Sequence, residues 1–386
     1  MQDLTETLAK LQSENLYRQR RVVQGPQGPK QVVDGKSCLT FCSNDYLGLA
    51  NHPDVVEAFK KAADEYGVGS GASHLVNGHS NAHHQLEEEL AEFTGRERAL
   101  LFSTGYMANL GVISALTGRD DVVYEDKFNH ASLIDAAQLS NAKLVRYTHL
   151  DMDSLSEQIA HHGGVNKLIV SDGVFSMDGD IASVDKISDI ARRHSATVMI
   201  DDAHGLGVLG LNGAGTLEFL HLQNDDVPIL MGTLGKAFGT FGAFVAGSEA
   251  LIEYLINKAR TYIYTTALPP AIAEATRASL KIVKREIWLR EQLQKLIGYF
   301  REGAIQRGLV LAESFTPIQL VIIGSAAAAM DISNKLEQQG ILVPAIRPPT
   351  VPEGSARLRI TLSAIHTEAQ IDRLLDVLEQ AMSVDS

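Results

Sequence analysis

The sequence predicts an α/β protein with a mostly parallel central sheet and a smaller C-terminal α+β domain. DVVYED, KLVRYTH, KLIVSDGVF, TVMIDDAH and VPILMGTLG are short apolar runs, each followed by polar or glycine residues. Helical patterns separate several of them, notably near residues 183–194, and a strand-helix alternation builds parallel sheets covered on both faces. Beyond residue 285 the rhythm changes to long helices interleaved with GLVLAES, IQLVIIG, ILVPAIRPPTV and ARLRITLS. The expected organisation is an N-terminal helix with short strands over 1–45, a large domain over 46–285 and a small α+β domain over 286–386.

Taken in order, MQDLTETLAKLQSENLYRQR has mixed charge and no apolar run, which reads as a short amphipathic helix and not as an export signal. VVDGKSCLTFCSNDYLGLA reads as two strands around Asp34-Gly35 followed by a polar turn at Asn44. Residues 54–66 have helical spacing. GVGSGASHLVNGHS, too glycine-rich for core helix or strand, is either a ligand-covering loop or a long connection. HHQLEEELAEFTG is a helix closed by Gly95, and ALLFSTGYMANLGVISALTG is a strand, a turn and a second helix. A long helical region is expected over 270–307 and another near 326–339.

Length and composition bound the function. A chain of 386 residues exceeds what one core usually organises and favours two domains. Its formal charge of −13 argues against a nucleic-acid surface, which needs clustered basic residues. The one basic cluster, Arg18, Arg20 and Arg21, is either a solvated helix end or a site for an anionic group. No run approaches the ~20 apolar residues of a membrane span, so a cytoplasmic location is the expectation. Cys38 and Cys42 lack histidines at metal spacing and read as small hydrophobes in a reducing compartment, with no metal site expected.

Ligands of open α/β sheets gather beyond the C-terminal strand ends, and the reactive side chains of this chain fall there. In TLGKAFGTFGAF, Lys236 follows an apolar strand, where it could form a Schiff base or be a surface lysine. In TVMIDDAHGLG, Asp201 ends a buried run; it could hold a proton on a pyridine nitrogen or cap a helix, a cap that suits Asp202 better. His204 could contact the hydroxyl of such a ring or orient the acid. Ser103, Thr104, Gly105 and Tyr106 form a strand-to-helix turn able to bind phosphate, or a generic cap, and Thr233 could add a hydroxyl. His130 could stack on a heterocycle or cap a helix, and Ser176 could donate to a phenolic oxygen. A lysine, a pyridine-facing acid, a stacking ring and a phosphate turn are the parts that a pyridoxal 5'-phosphate site requires. A dinucleotide site fits less well, because GVGSGASHLVNG follows a helical segment and not a first β-strand.

SNDYLGL, STGY, NHAS, DGVFSMDGD, DDAHGLGVLG, GTLGKAFG, YTTALPP and RPPTVPEGSARLRITLSA, in this order, resemble the α-oxoamine synthases. These are fold-type I, aspartate-aminotransferase-like pyridoxal-phosphate acyltransferases. The resemblance implies that Lys236 carries the cofactor, Asp201 pairs with its ring nitrogen and His130 stacks on the ring, with His204 and Ser176 near the phenolic oxygen. Gly105, Tyr106 and Thr233 would fix the cofactor, and Thr265 or Thr266 would reach the neighbouring subunit's phosphate in a homodimer. Arg359 would clamp the amino-acid carboxylate with Asn44 at the same edge, and Arg347 and Thr350 would serve the acyl side or a closing loop. Arg18, Arg20 or Arg21 would meet a remote carboxylate or an acyl carrier. YTTALPP and the proline-rich closing segment are most similar to the branch that joins L-alanine to a pimeloyl thioester, carried on coenzyme A or acyl-carrier protein. The glycine C-acetyltransferase branch is the alternative.

Overall fold

The computed structural model describes residues 4–13, 16–348 and 350–383. At the N-terminal end, β1 (Val23–Gln24), β2 (Lys30–Val33) and β3 (Lys36–Thr40) form an antiparallel ribbon. Its β2-β3 turn places Asp34 at φ 50° and Gly35 at φ 78°, the left-handed pair a tight hairpin needs. The Leu4–Ser13 helix that precedes it buries none of its residues.

The large sheet contains β4 (Arg98–Phe102), β5 (Val122–Asp126), β6 (Lys143–Tyr147), β7 (Lys167–Asp172), β8 (Thr197–Asp201), β9 (Ile229–Thr233) and β10 (Ala243–Gly247). Their spatial order is β4-β10-β9-β8-β7-β5-β6. Only β10 is antiparallel to its neighbours, so the other six direct their C-terminal ends to one edge. β5, β9 and β10 are nearly continuous buried runs, as a sheet covered on both faces requires. The Gly105–Leu116, Ala131–Ser140 and Val184–His194 helices are among those that cover it.

In the C-terminal part, β11 (Ile318–Gly324), β13 (Ala345–Ile346) and β14 (Ala356–Thr361) form an antiparallel sheet ordered β11-β14-β13, while β12 (Ile341–Leu342) pairs in parallel with β3. The N-terminal ribbon is therefore tied to the C-terminal part by backbone hydrogen bonds. β14 also carries Arg359 towards the polar edge of the large sheet, where its Nε donates to the Ser176 carbonyl at 2.7 Å.

Two expectations need correction. The helical region over 270–307 is two helices, Pro270–Arg285 and Trp288–Gln306, separated at Glu286 and Ile287. Buried Arg290 donates to the Val283 carbonyl at 2.7 Å, satisfying an acceptor that the chain break releases from the helix ladder. GLVLAES forms no strand; Leu311 makes a single bridge to Val321.

Candidate active site

A cavity of about 190 Å³ opens at the C-terminal edge of the large sheet. Gly105, Tyr106, His130, Ser176, Asp201, His204, Thr233 and Lys236, named above from the sequence, all line it. Asn109, Ser132 and Asp172 also line it and had no local signal that marked them.

Lys236 lies in the turn between β9 and β10. Backbone bonds from Leu234 to Gly242 and from Thr240 to Leu234, both 2.9 Å, hold that turn closed. Gly239 in it has φ +67°, and a Cβ there would sit 2.3 Å from the Ala50 nitrogen, so only glycine fits. Burial pulls the Lys236 amine down to about 8 despite the opposing charges of Asp201 and Asp172, so that roughly a tenth of it is free amine at pH 7, far more than for an ordinary lysine. Its Nζ is 2.7 Å from His204 Nε2, and His204 Nδ1 is 2.6 Å from the Tyr46 hydroxyl. Burial first, then the Lys236 charge, holds His204 well below the usual imidazole range.

Asp201 ends β8 beside Asp172 at the end of β7, the two being register partners. Asp201 accepts hydrogen bonds from Asn109 Nδ2 at 2.8 Å and from the Ala203 amide at 3.1 Å. Burial and the charge of Asp201 push Asp172 well above the ordinary carboxylate range, so one negative charge dominates the pair. Asp172 accepts the His130 amide at 2.9 Å. Neither acid is a helix N-cap; fully buried Asp202 instead accepts the Thr216 amide at 2.7 Å and the Thr216 hydroxyl at 2.5 Å, 14 residues on.

His130 serves as a helix cap at the cavity edge. It is the N-cap of the Ala131–Ser140 helix, with Nδ1 2.8 Å from Ser132 Oγ, and it lines the cavity while remaining exposed. Gly105 and Tyr106 form the first turn of a twelve-residue helix capped by Thr104, whose leading amides and dipole favour an anion. The Thr233 hydroxyl is 3.1 Å from the Gly242 carbonyl.

Arg359 is buried in β14, where Nη1 donates to Thr361 Oγ1 at 3.1 Å and Nη2 approaches Asn44 Oδ1 at 3.5 Å. The other expected residues lie outside the cavity lining. Arg18 and Arg20 are exposed, and Arg21 is engaged with Glu337 at 2.6 Å and with Asp34 at 3.5 Å. Thr265 is half-buried and Thr266 exposed, just before Ala267, whose amide donates to Ala72. Arg347 is half-buried, and its carbonyl accepts the amide of exposed Thr350 at 3.1 Å.

The donor set fits pyridoxal phosphate. Among the described residues no basic side chain lies within salt-bridge range of buried Asp201, and Asn109 Oδ1 is buried without a hydrogen-bond partner, so the cavity wall has unused acceptor capacity for a cationic ring N–H. A helix N-terminus and a lysine of lowered basicity supply the phosphate and aldehyde partners.

The aminotransferase class I and II family matches residues 36–378. The chain belongs to that family, as a pyridoxal-phosphate enzyme of fold type I. A serine palmitoyltransferase from S. paucimobilis, solved with bound PLP-myriocin aldimine, superposes with TM-score 0.93 at 32% identity, covering 99% of this chain and 97% of that one. The 8-amino-7-oxononanoate synthase of Thioalkalivibrio sulfidiphilus is 61% identical over 99% of this chain and 98% of its own length, and that of Cellvibrio japonicus is 58% identical over 99% and 96%. A crystal structure of the Francisella tularensis 8-amino-7-oxononanoate synthase covers 90% of this chain and 98% of its own, with TM-score 0.79 and 35% identity. Within the fold, this chain is a member of the 8-amino-7-oxononanoate synthases, and the glycine C-acetyltransferase alternative gains no support.

Proposed function

We propose that this enzyme condenses L-alanine with a pimeloyl thioester, with loss of carbon dioxide, to form 8-amino-7-oxononanoate in biotin biosynthesis. The observation that carries the reading is the convergence of Lys236, Asp201 and His130 on one cavity, with Arg359 reaching the same sheet edge from β14. Bound pyridoxal phosphate supplies an electron sink that stabilises negative charge at the alanine Cα.

Lys236 holds the cofactor and, once its amine is released, stands beside the carbon whose proton must move. With Lys236 donating to His204 Nε2, the His204 Nδ1–H faces Tyr46, and the Tyr46 hydroxyl is free to donate towards Asn44 Oδ1 at 3.3 Å. This chain fixes the imidazole tautomer and aims the amine. Asp201 balances a proton on the ring nitrogen, and His130 covers the ring. Arg359 uses Nε and Nη1 for protein acceptors, which leaves Nη2 directed towards Asn44 and available to an amino-acid carboxylate. The first-turn amides of Gly105 and Tyr106 and the Thr233 hydroxyl take the phosphate, and Ser176 with His204 flanks the phenolic oxygen.

A homodimer, in which Thr265 or Thr266 serves the neighbouring subunit, belongs to the same reading, supported by the position of both residues outside their own cavity. Arg347 and Thr350 would close over the acyl chain, and Arg18 and Arg20 remain exposed for its distal carboxylate or carrier. No helix of the described residues is long and apolar enough to cross a membrane, and free Cys38 and Cys42 suit the cytoplasm.

The test is product analysis on purified protein loaded with pyridoxal phosphate. Alanine with pimeloyl-coenzyme A or pimeloyl-acyl-carrier protein should give the mass of 8-amino-7-oxononanoate. Turnover confined to glycine and acetyl-coenzyme A would overturn the assignment.

A further inference from the structure

The start of the Asn81–Thr94 helix carries a group of side chains that the reaction above does not use. His84 and Glu87 are three residues apart on that helix and share a face, and His79 comes from the turn just before it. One ligating atom from each of His79, His84 and Glu87 lies within 4.8 Å of the other two. We propose that these three residues bind a zinc-class divalent cation, with a fourth position open to water.

The geometry favours a cation at this point. His79 Nδ1 is 2.9 Å from His74 Nδ1; with His79 as donor, its Nε2 lone pair is turned outward. His79 Nε2 then faces Glu87 Oε2 across 3.9 Å, too far for a hydrogen bond. Two ligands at ~2.0–2.2 Å from one tetrahedral ion stand roughly 3.4 Å apart, so a contraction of about half an ångström would bring these two into coordinating range, with exposed His84 turning in as the third. The second atom of each group is already anchored: Glu87 Oε1 accepts the Leu101 amide at 2.9 Å, and His74 holds His79. Such outer contacts orient ligands and fix the tautomer.

His84 is exposed, with Nε2 only 3.5 Å from equally exposed Glu88, which gives the ion a way in and keeps the last ligand free to turn.

A competing trio, His74, His79 and His83, is equally close. There His83 has no nitrogen to spare: Nδ1 accepts the Ser80 amide at 3.0 Å in the capping box, and Nε2 is 2.6 Å from the Leu268 carbonyl. Binding at that trio would dismantle the helix cap, whereas binding at His79, His84 and Glu87 leaves it intact. The ion would pin the glycine-rich connection preceding His79 to the helix that follows.

The test uses tag-free holoenzyme treated with chelator and then titrated with zinc chloride by calorimetry, with cobalt(II) absorption as a coordination signature. The expected result is one equivalent bound with a Kd of roughly micromolar or tighter, and a cobalt spectrum of low coordination number. H84A, at an exposed position where folding is not at stake, and E87Q, which keeps an acceptor for Leu101, should each weaken binding by about 10- to 100-fold. H161A, at a distant exposed histidine, should not. Absence of zinc uptake by the folded wild type, or equal uptake by H84A and the wild type, would overturn the site; loss in an H83A variant with retention in H84A would move it to the other trio and overturn it as well.

Discussion

Lys236 Nζ, on a half-buried side chain, stands 2.7 Å from Nε2 of buried His204, and both groups are held below their ordinary pKa values. Burial lowers Lys236 against the pull of Asp201 and Asp172, and the Lys236 charge in turn adds to the burial that lowers His204. Lys236, pulled down to about 8, should then show its titration in cofactor capture. The rate at which the apoenzyme covalently attaches pyridoxal phosphate should rise through pH 8 and level above it, and K236A should retain none after borohydride treatment and mass measurement. A rate that climbs only near the pKa of an ordinary lysine would show that burial does not tune the amine.

The Tyr46 hydroxyl closes the other side of the same imidazole. Y46F removes the Tyr46 hydroxyl from His204 Nδ1 and leaves a buried N–H unsatisfied, a loss of ~1–3 kcal/mol. We expect kcat to fall roughly tenfold with the KM for alanine little changed, since Tyr46 aims the base and does not hold the carboxylate. A rise in KM with kcat preserved would instead place Tyr46 in substrate binding.

Much of this site was legible from the chain because the parallel-sheet pattern sends strand ends to one edge, and Lys236, Asp201, His130 and Ser176 each follow an apolar run. What the pattern could not reveal was contact across distance. Tyr46 meets His204 at a separation of 158 residues, and Asn109 meets Asp201 at 92. Asp172 looks like any polar residue closing KLIVSD; only the register of β7 against β8 sets it beside Asp201. β10 has a weak local signal for a different reason: FGAFVAG is short and bounded by Gly242 and Gly247, and its strand character comes from pairing on both sides, with β4 and β9. The helix break at Glu286 and Ile287 carries no proline or glycine; Arg290 spans it, donating to the Val283 carbonyl and, across 79 residues, to the Leu211 carbonyl.

The unequal pair Asp172 and Asp201 predicts unequal mutants. Asp172 is pushed upward by burial and its neighbour, so it holds its charge less readily than an ordinary carboxylate, and Asn can still accept the His130 amide. D172N should therefore keep cofactor affinity and activity within about threefold, whereas D201N, which removes the counter-charge of the ring nitrogen, should lower kcat by roughly 100-fold or more. Cofactor affinity by fluorescence titration and steady-state kinetics on both variants separate the roles. Comparable losses in the two would mean that Asp172 carries charge the reaction needs.

His149 ties together the two loops that carry His130 and Ser176. Its Nδ1 is 2.8 Å from Asp126 at the end of β5, its Nε2 is 2.9 Å from Asp180, and it lies between the rings of Phe128 and Phe175. Burial opposes its charge, but the hydrogen bonds it donates to Asp126 and Asp180 outweigh burial and raise it to about 9. A pKa raised in the folded state means that folding binds a proton, so the contribution is fully present below the unfolded value of about 6.5 and fades as pH rises through 9. Denaturant unfolding of the wild type should show stability declining between pH 7 and pH 10 more steeply than in H149Q, whose neutral amide has no proton to lose. At pH 6 the wild type should be the more stable of the two, and the difference should narrow by pH 10. Parallel curves across this range would mean that the loops are held by the aromatic packing alone.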